Sequence, residues 1–148
     1  MSNAKYPHLS FFLLCREIRD SPTGALTFVD VLSRLSFRAT AFPGQAVVQA
    51  ALGIAGHTKA VVNLDFLLAI VERDGSLTQP EPPMQHSATV GVKPGVAIVT
   101  TEFVLTLPQP GRYMVLLGDP GGSFGTSQNV LAEYQFDVTA DGDSHLWN

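Results

Sequence analysis

The chain has 148 residues, with nine Lys and Arg against thirteen Asp and Glu, and a formal net charge of −4. Hydrophobic residues make up 45% of the sequence and charged residues only 15%, which excludes an intrinsically disordered chain because disorder requires low hydrophobicity and high charge. The length suits a single domain. Acidic residues outnumber basic ones, and the basic residues do not cluster, which argues against nucleic-acid binding.

The N-terminal region holds one short apolar stretch, at 11–15, which Arg16 ends. A secretory signal needs an apolar region of about 7–15 residues and a membrane helix about 20. The single cysteine, Cys15, cannot form an internal disulfide. We therefore expect a cytoplasmic protein without membrane association. We also expect residues 1–7 to be a flexible N-terminus or a vector scar and 140–148 to be a C-terminal tail.

Alternation of apolar and polar residues predicts strands along almost the whole chain. In 130–138, for example, the even positions are apolar and the odd positions are mostly polar, which is typical of a half-buried strand. Turn sequences around Gly24, Gly75 and Gly142 separate such segments. The predicted fold is a single all-β domain over 8–139, an antiparallel β-sandwich of about eight strands of Greek-key type. The predicted strands are 8–19, 25–36, 46–54, 60–73, 87–93, 96–107, 112–118 and 129–139.

Several short motifs resemble those of a family of uncharacterised bacterial proteins. They are Leu13-Leu14-Cys15, the turn ending in Gly24 before Leu26-Thr27-Phe28-Val29, Phe42-Pro43, and Pro110-Gly111-Arg112-Tyr113. The chain departs from that pattern at Arg16, where an acidic residue is common, and at Ala25, where the family has lysine. The resemblance implies a β-sandwich, and the family has no assigned activity.

Residues that could act chemically are few and scattered. Cys15 lies on the same side of its predicted strand as Phe11 and Leu13, which are expected to face the core. This position predicts a buried, inert thiol. Asp30 interrupts an apolar series and is expected to pair with an arginine across the hairpin, or to mark a bulge. Asp65 and Glu102 are predicted on outward faces. The histidines lie at 8, 57, 86 and 145, without the spacing of a metal chelate.

The glycine-rich segment 118–128 is a candidate binding loop through Asp119, Ser123 and an exposed Phe124. It lacks the lysine and the following helix of a phosphate-binding loop. No hydrolase, metalloprotease or dinucleotide motif occurs in the sequence. We expect no enzymatic activity, no cofactor and no metal.

Two predicted strands carry apolar residues on both faces, which suggests an interface. The predicted interface face bears Phe12 and Leu14 of the first strand and Leu67, Ala69 and Val71 of the fourth, with Met114 and Leu116 extending it. Burial of this face between subunits predicts a homodimer or larger symmetric assembly, unless loop 78–86 or 118–128 covers it. The sequence therefore favours a self-associating structural or interaction module. The alternative is a β-barrel that binds a small hydrophobic ligand, and a hydrolase built on a sandwich is a third class.

Overall fold

The computed structural model describes residues 7–56, 59–122, 124 and 130–141. These residues form ten strands and a single 3-10 turn at Ala39–Ala41. None of the described residues forms a helix long and apolar enough to cross a bilayer. The strands are β1 (His8–Asp20), β2 (Leu26–Val31), β3 (Arg34–Arg38), β4 (Gly44–Gly56), β5 (Ala60–Val71), β6 (Leu77–Thr78), β7 (Gln85–Val92), β8 (Gly95–Leu107), β9 (Gly111–Gly118) and β10 (Val130–Asp141).

The strands form two sheets that pack face to face, which confirms the predicted β-sandwich. The four-stranded sheet has the order β2-β1-β4-β8. The six-stranded sheet has the order β3-β10-β9-β5-β6, and β7 pairs with β5 beside β6. Every strand pair is antiparallel except that of β3 with β10.

The predicted strand 25–36 is two strands that belong to different sheets. The chain leaves the four-stranded sheet after Val31 and enters the six-stranded sheet at Arg34. At the crossing, Leu32 is buried in the core and its N–H donates to the carbonyl of Leu14 at 2.8 Å. No glycine or proline marks this crossing, so the apolar pattern runs through it unbroken.

The core lies between the sheets and is filled by large side chains. Phe66 of β5 contacts the rings of Phe12 and Phe103, with centroids 6.0 and 5.1 Å apart. Tyr113 is fully buried, and its hydroxyl donates to the carbonyl of Gln109 at 2.6 Å, because a buried polar group needs a partner. The fully buried leucines and isoleucine of this core are Leu14, Leu52, Ile54, Leu64, Leu68, Leu105, Leu107 and Leu117.

A β-bulge near the start of β1 reverses the predicted faces of this strand. The pairing register with β4 shifts by one residue between Leu9 and Phe11, so Ser10 is an extra residue. Because side chains alternate with a period of two, one inserted residue exchanges the two faces. The prediction that Phe11 and Leu13 face the core is therefore wrong, and Phe12 and Leu14 face it instead.

Candidate functional site

The outer face of the six-stranded sheet carries several polar cross-strand pairs beside an apolar cluster, in which Leu116 and Met114 lie opposite Leu67 and Ala69. The hydroxyl of Ser87 donates to Asp65 at 2.7 Å, and that of Thr89 donates to Asn63 at 2.9 Å. On the other half of this sheet, Arg112 pairs with the carboxylate of Asp137 at 3.2 Å. Pairs of this kind link neighbouring strands and keep the face hydrated.

The structure divides the predicted interface between the core and the surface. Phe12 and Leu14 lie in the core, so their assignment to an outer face is wrong, and the bulge at Ser10 is the reason. Leu67 and Val71 are half-buried on the outer face of the six-stranded sheet, and Ala69 between them is buried. The predicted face is therefore not one continuous surface.

The outer face of the four-stranded sheet carries most of the exposed aliphatic side chains, although Val61, Leu77 and Val130 of the six-stranded sheet are exposed as well. Val96, Ile98 and Val104 of β8 point outward, because the alternate residues Phe103, Leu105 and Leu107 are buried. Val47 of β4 lies directly opposite Val104 and is also exposed. We call these four outward side chains, together with the unpaired edge of β8, the β8 surface.

The uncharged part of this face extends from β8 across β4 to Phe11 and Leu13 of β1. The residues of β4 that oppose Ile98 and Thr100 are Gly53 and Ala51, and both are buried. The ring of Phe11 lies across Gly53 so closely that a Cβ atom there would be 2.4 Å from the ring. Glycine at this position therefore lets an aromatic side chain of β1 cover the sheet.

β8 is also an edge strand, and it lacks the features that usually protect an edge. It has 13 residues, pairs only with β4 among the described residues, and keeps one register along its whole length. It contains no proline and one charged residue, Glu102. Natural edge strands are usually short, bulged, or protected by lysine or proline. The edge strands β2 and β3 have six and five residues, and β3 carries two arginines.

The signal for the β8 surface is present in the sequence. Outward positions 96, 98 and 104 are aliphatic and follow the same parity as the polar Glu102 and Thr106. Glu102 and Thr106 give this parity a polar character that obscures its three aliphatic residues. Which strand lies at an edge depends on strand order, and the sequence does not provide it.

Cys15 is fully buried, as predicted, although its strand parity places it with the outward residues. It pairs with Val31 of β2 and with Gln49 of β4, at the point where β1 leaves β4. Burial raises the pKa of its thiol, against a smaller lowering by a hydrogen bond to the carbonyl of Glu17. A raised pKa disfavours the thiolate that a nucleophile requires.

The acidic residues singled out from the sequence lie apart from one another. Asp30 pairs with Arg16 across the hairpin at 2.6 Å, as predicted, and its φ of 55° is in the left-handed region. Asp65 and Glu102 both lie on outward faces, as predicted, but on different sheets. The two carboxylates therefore cannot act on one bound substrate as an acid–base pair.

The described histidines do not form a cluster. His8 is exposed, whereas His86 packs on Phe103, with ring centroids 5.1 Å apart, and shares a hydrogen bond of 3.0 Å with the hydroxyl of Thr101. His57 and His145 lie outside the described residues. In the part of the chain that the structure describes, no three His, Cys, Asp or Glu side chains come together to hold a metal ion.

Within the candidate binding loop, Asp119 bonds to Phe124. The side chain of Asp119 is buried, and its carboxylate accepts a hydrogen bond from the backbone N–H of Phe124 at 2.8 Å. The prediction of an exposed Phe124 is wrong, because its side chain is half-buried against the core. Ser123 lies outside the described residues.

Two surface clefts lie at the side of the sandwich formed by β3. One, of about 420 Å³, has Cys15, Leu32 and Val48 in its walls, with Arg16 and Arg34 also lining it. The other, of about 480 Å³, is lined by Arg34, Arg73 and Arg112 together with Glu72 and Asp137. Opposite charges alternate in the second cleft, which leaves little net charge there.

In comparisons with protein-family models and with curated proteins, nothing matches this chain. Among solved structures, the chain is similar to the DNA glycosylase AlkC of Pseudomonas fluorescens bound to DNA containing an abasic site analog, with 11% identity and a TM-score of 0.47, over 87% of this chain and 30% of that one. It is similar to a β-glucosidase from Listeria innocua, with 14% identity and a TM-score of 0.46, over 88% of this chain and 16% of that one. A CARDB domain from Pyrococcus furiosus, in complex with di-metal ions, has 15% identity and a TM-score of 0.44, over 92% of this chain and 96% of that one.

Proposed function

We propose that this protein is a non-enzymatic β-sandwich module that associates with a second copy of itself through the β8 surface. The observation that carries the proposal is the long, unprotected edge of β8 with its exposed aliphatic side chains. An edge of this length and composition pairs readily with another strand. The proposal also includes membership of the bacterial β-sandwich family that the motifs resemble. It further includes a cytoplasmic location.

The absence of a catalytic role is part of this proposal and is supported by three placements. The carboxylates of Asp65 and Glu102 lie on different sheets. The thiol of Cys15 is buried with a raised pKa. Asp30 is held in an ion pair with Arg16. Asp65, Cys15 and Asp30 are thus each held by a structural contact.

The alternative of a ligand-binding β-barrel has less support. The strands form two sheets rather than one closed sheet, and the space between them is filled by side chains such as Phe66, Phe103 and Tyr113. A barrel that accepts a hydrophobic ligand needs an open interior. Native mass spectrometry of the freshly purified protein checks this alternative, since a retained small molecule would favour it.

The decisive experiment compares Ile98→Lys with Val61→Lys by sedimentation velocity at micromolar concentration. Ile98 is 44% exposed on the β8 surface, whereas Val61 is 67% exposed on the other sheet. We expect wild type and Val61→Lys to sediment as dimers and Ile98→Lys as a monomer with an unchanged circular dichroism spectrum. A monomeric wild type, or a dimer that Ile98→Lys leaves intact, would overturn the proposal.

A further inference from the structure

We infer that two copies join β8 to β8 in antiparallel fashion about a two-fold axis at Thr101, which gives one continuous eight-stranded sheet. This inference rests on the proposed function and specifies its partner and register. The partner is an identical β8, because its edge and the exposed side chains beside it complement themselves. A two-fold axis is the usual symmetry of such a contact, since each copy then presents the same surface.

The two-fold symmetry and the alternation of side chains along β8 allow only a few registers for the pairing of β8 with a second β8. Outward side chains must meet outward side chains if the sheet is to continue, so residues of the same parity must oppose one another. In an antiparallel two-fold pair, the axis therefore passes through a single residue of β8. The central residues of the strand are Thr100, Thr101 and Glu102.

The side chains on the outer face distinguish these three registers. With the axis at Glu102, the two carboxylates oppose each other directly, which is destabilising. With the axis at Thr100, each Glu102 lies opposite an aliphatic Ile98 of the other copy. With the axis at Thr101, Ile98 opposes Val104 of the second copy and Glu102 opposes Thr100. The Thr100 register also pairs two exposed aliphatic residues, Val96 with Val104. Only the Thr101 register places Ile98 opposite an aliphatic residue and Glu102 opposite an uncharged polar one.

The inward face agrees with the same register. An axis at Thr101 places Val99 opposite Phe103 of the second copy, and the two Thr101 residues opposite each other. Pairs of an aromatic with a β-branched residue and of two threonines are favourable across antiparallel strands. Thr101 is half-buried and Val99 is half-buried, whereas inward residues nearer the C-terminal end of β8 are buried already. The pairing therefore covers the part of the edge that the fold leaves open.

Among the described residues, the other edge strands offer no equivalent self-pairing. β2 has six residues and contains Asp30 with its left-handed backbone. On β3, Arg34 and Arg38 would place like charges close together in an antiparallel pair. β7 has eight residues, and its outward Ser87 and Thr89 already bond to Asp65 and Asn63 of β5.

Disulfide trapping tests the register. In the variant Ile98→Cys/Val104→Cys, each new cysteine opposes one of the second copy at a Cα separation of about 4.5–5.5 Å, within the range a disulfide spans. The two positions in one chain are about 20 Å apart along the strand, so they cannot bridge internally. We expect oxidation to convert this variant to a covalent dimer on a non-reducing gel.

The control variant is Val96→Cys/Ile98→Cys, which carries the same number of cysteines on the same face. In the proposed register, its cysteines oppose residues 104 and 106 of the second copy, so we expect it to remain uncrosslinked. If wild type is a dimer but Ile98→Cys/Val104→Cys fails to crosslink, or if the control crosslinks equally, the register is wrong while self-association stands. If wild type is a monomer, the proposed function fails and the register fails with it.

Hydrogen exchange gives a second measurement that needs no substitution. We expect the amides of β8 between Ile98 and Val104 to exchange more slowly as the protein concentration rises, because the edge becomes paired in the dimer. The amides of β3, at the edge of the other sheet, should not depend on concentration. Protection of β3 instead of β8 would contradict the inference.

Discussion

The outer faces of the two sheets differ in how they meet water. On the six-stranded sheet, polar side chains pair across strands, as Ser87 does with Asp65 and Thr89 with Asn63. On the four-stranded sheet, Val47, Val96, Ile98 and Val104 are exposed. A face of paired polar groups is satisfied in the monomer, whereas an aliphatic face beside an open edge gains from a second copy. Val61, Leu77 and Val130 of the six-stranded sheet are also exposed, but they lie on inner strands or on the two-residue β6. The four-stranded sheet differs because its exposed aliphatic residues lie on and beside a long edge strand.

The largest effect is expected from a test of which side of β1 belongs to the core. Leu14 is 0% exposed and lies between the sheets, whereas the adjacent Leu13 is half-buried on the outer face. We expect Leu14→Ala to lower the free energy of unfolding by about 2–5 kcal/mol, because truncation leaves a cavity. Leu13→Ala is the matched control and should cost less than half as much in urea denaturation. Equal losses would contradict the face assignment.

A smaller loss of folding stability is expected at alkaline pH, and it originates from the thiol of Cys15. Burial holds the pKa of this thiol above its ordinary value of about 8.5. The unfolded chain therefore loses the thiol proton first as the pH rises. The contribution of Cys15 to stability is fully present below the ordinary pKa and is lost as the pH rises through the raised one.

The measurement is the urea midpoint of wild type and Cys15→Ala at neutral pH and about one unit above the ordinary thiol pKa of about 8.5. We expect the midpoint of wild type to fall more than that of the variant. The pKa values of Tyr113 and Tyr134 are also raised by burial, so both proteins should lose stability at still higher pH. If the urea midpoint of Cys15→Ala falls as much as that of wild type, the Cys15 thiol is not the cause of the loss. The native thiol should also resist a thiol reagent that reacts fully after denaturation.

The polar cross-strand pairs of the six-stranded sheet are expected to contribute modestly to the free energy of unfolding. A double-mutant cycle with Asp65→Ala and Ser87→Ala should give a coupling of about 0.2–1 kcal/mol, as for other cross-strand pairs. Ser36 bonds to Thr139 elsewhere on the same sheet, so Ser36→Ala combined with Ser87→Ala should be additive. A coupling of zero between Asp65 and Ser87 would mean that this face is merely hydrated.

The smallest effect is expected for the ion pair between Arg16 and Asp30. Both side chains are largely exposed, and exposed ion pairs contribute about 0.2–1 kcal/mol. We expect Arg16→Ala to lower the urea midpoint slightly at low salt and to match wild type at high salt, because salt screens exposed charges. A loss that persists at high salt would show that the aliphatic part of Arg16 also packs on the neighbouring cleft.

The sequence predicted the fold class because alternation is a local property. Polar and apolar residues alternate along β10, and glycines with positive φ at Gly24 and Gly75 complete the predicted turns. The pairing of Asp30 with Arg16 was also predictable, since a hairpin fixes which residues oppose one another. Each of these inferences needs only a few consecutive residues and the geometry of an extended chain.

The tertiary structure alone decided which face and which edge each strand presents. One extra residue at Ser10 exchanges the faces of β1, and nothing in its sequence marks the bulge. The crossing at Leu32–Ser33 splits an unbroken apolar segment between two sheets. β8 becomes an edge because of the order in which distant strands pair. Side-chain parity is set locally, but register and strand order depend on contacts between residues far apart in the chain.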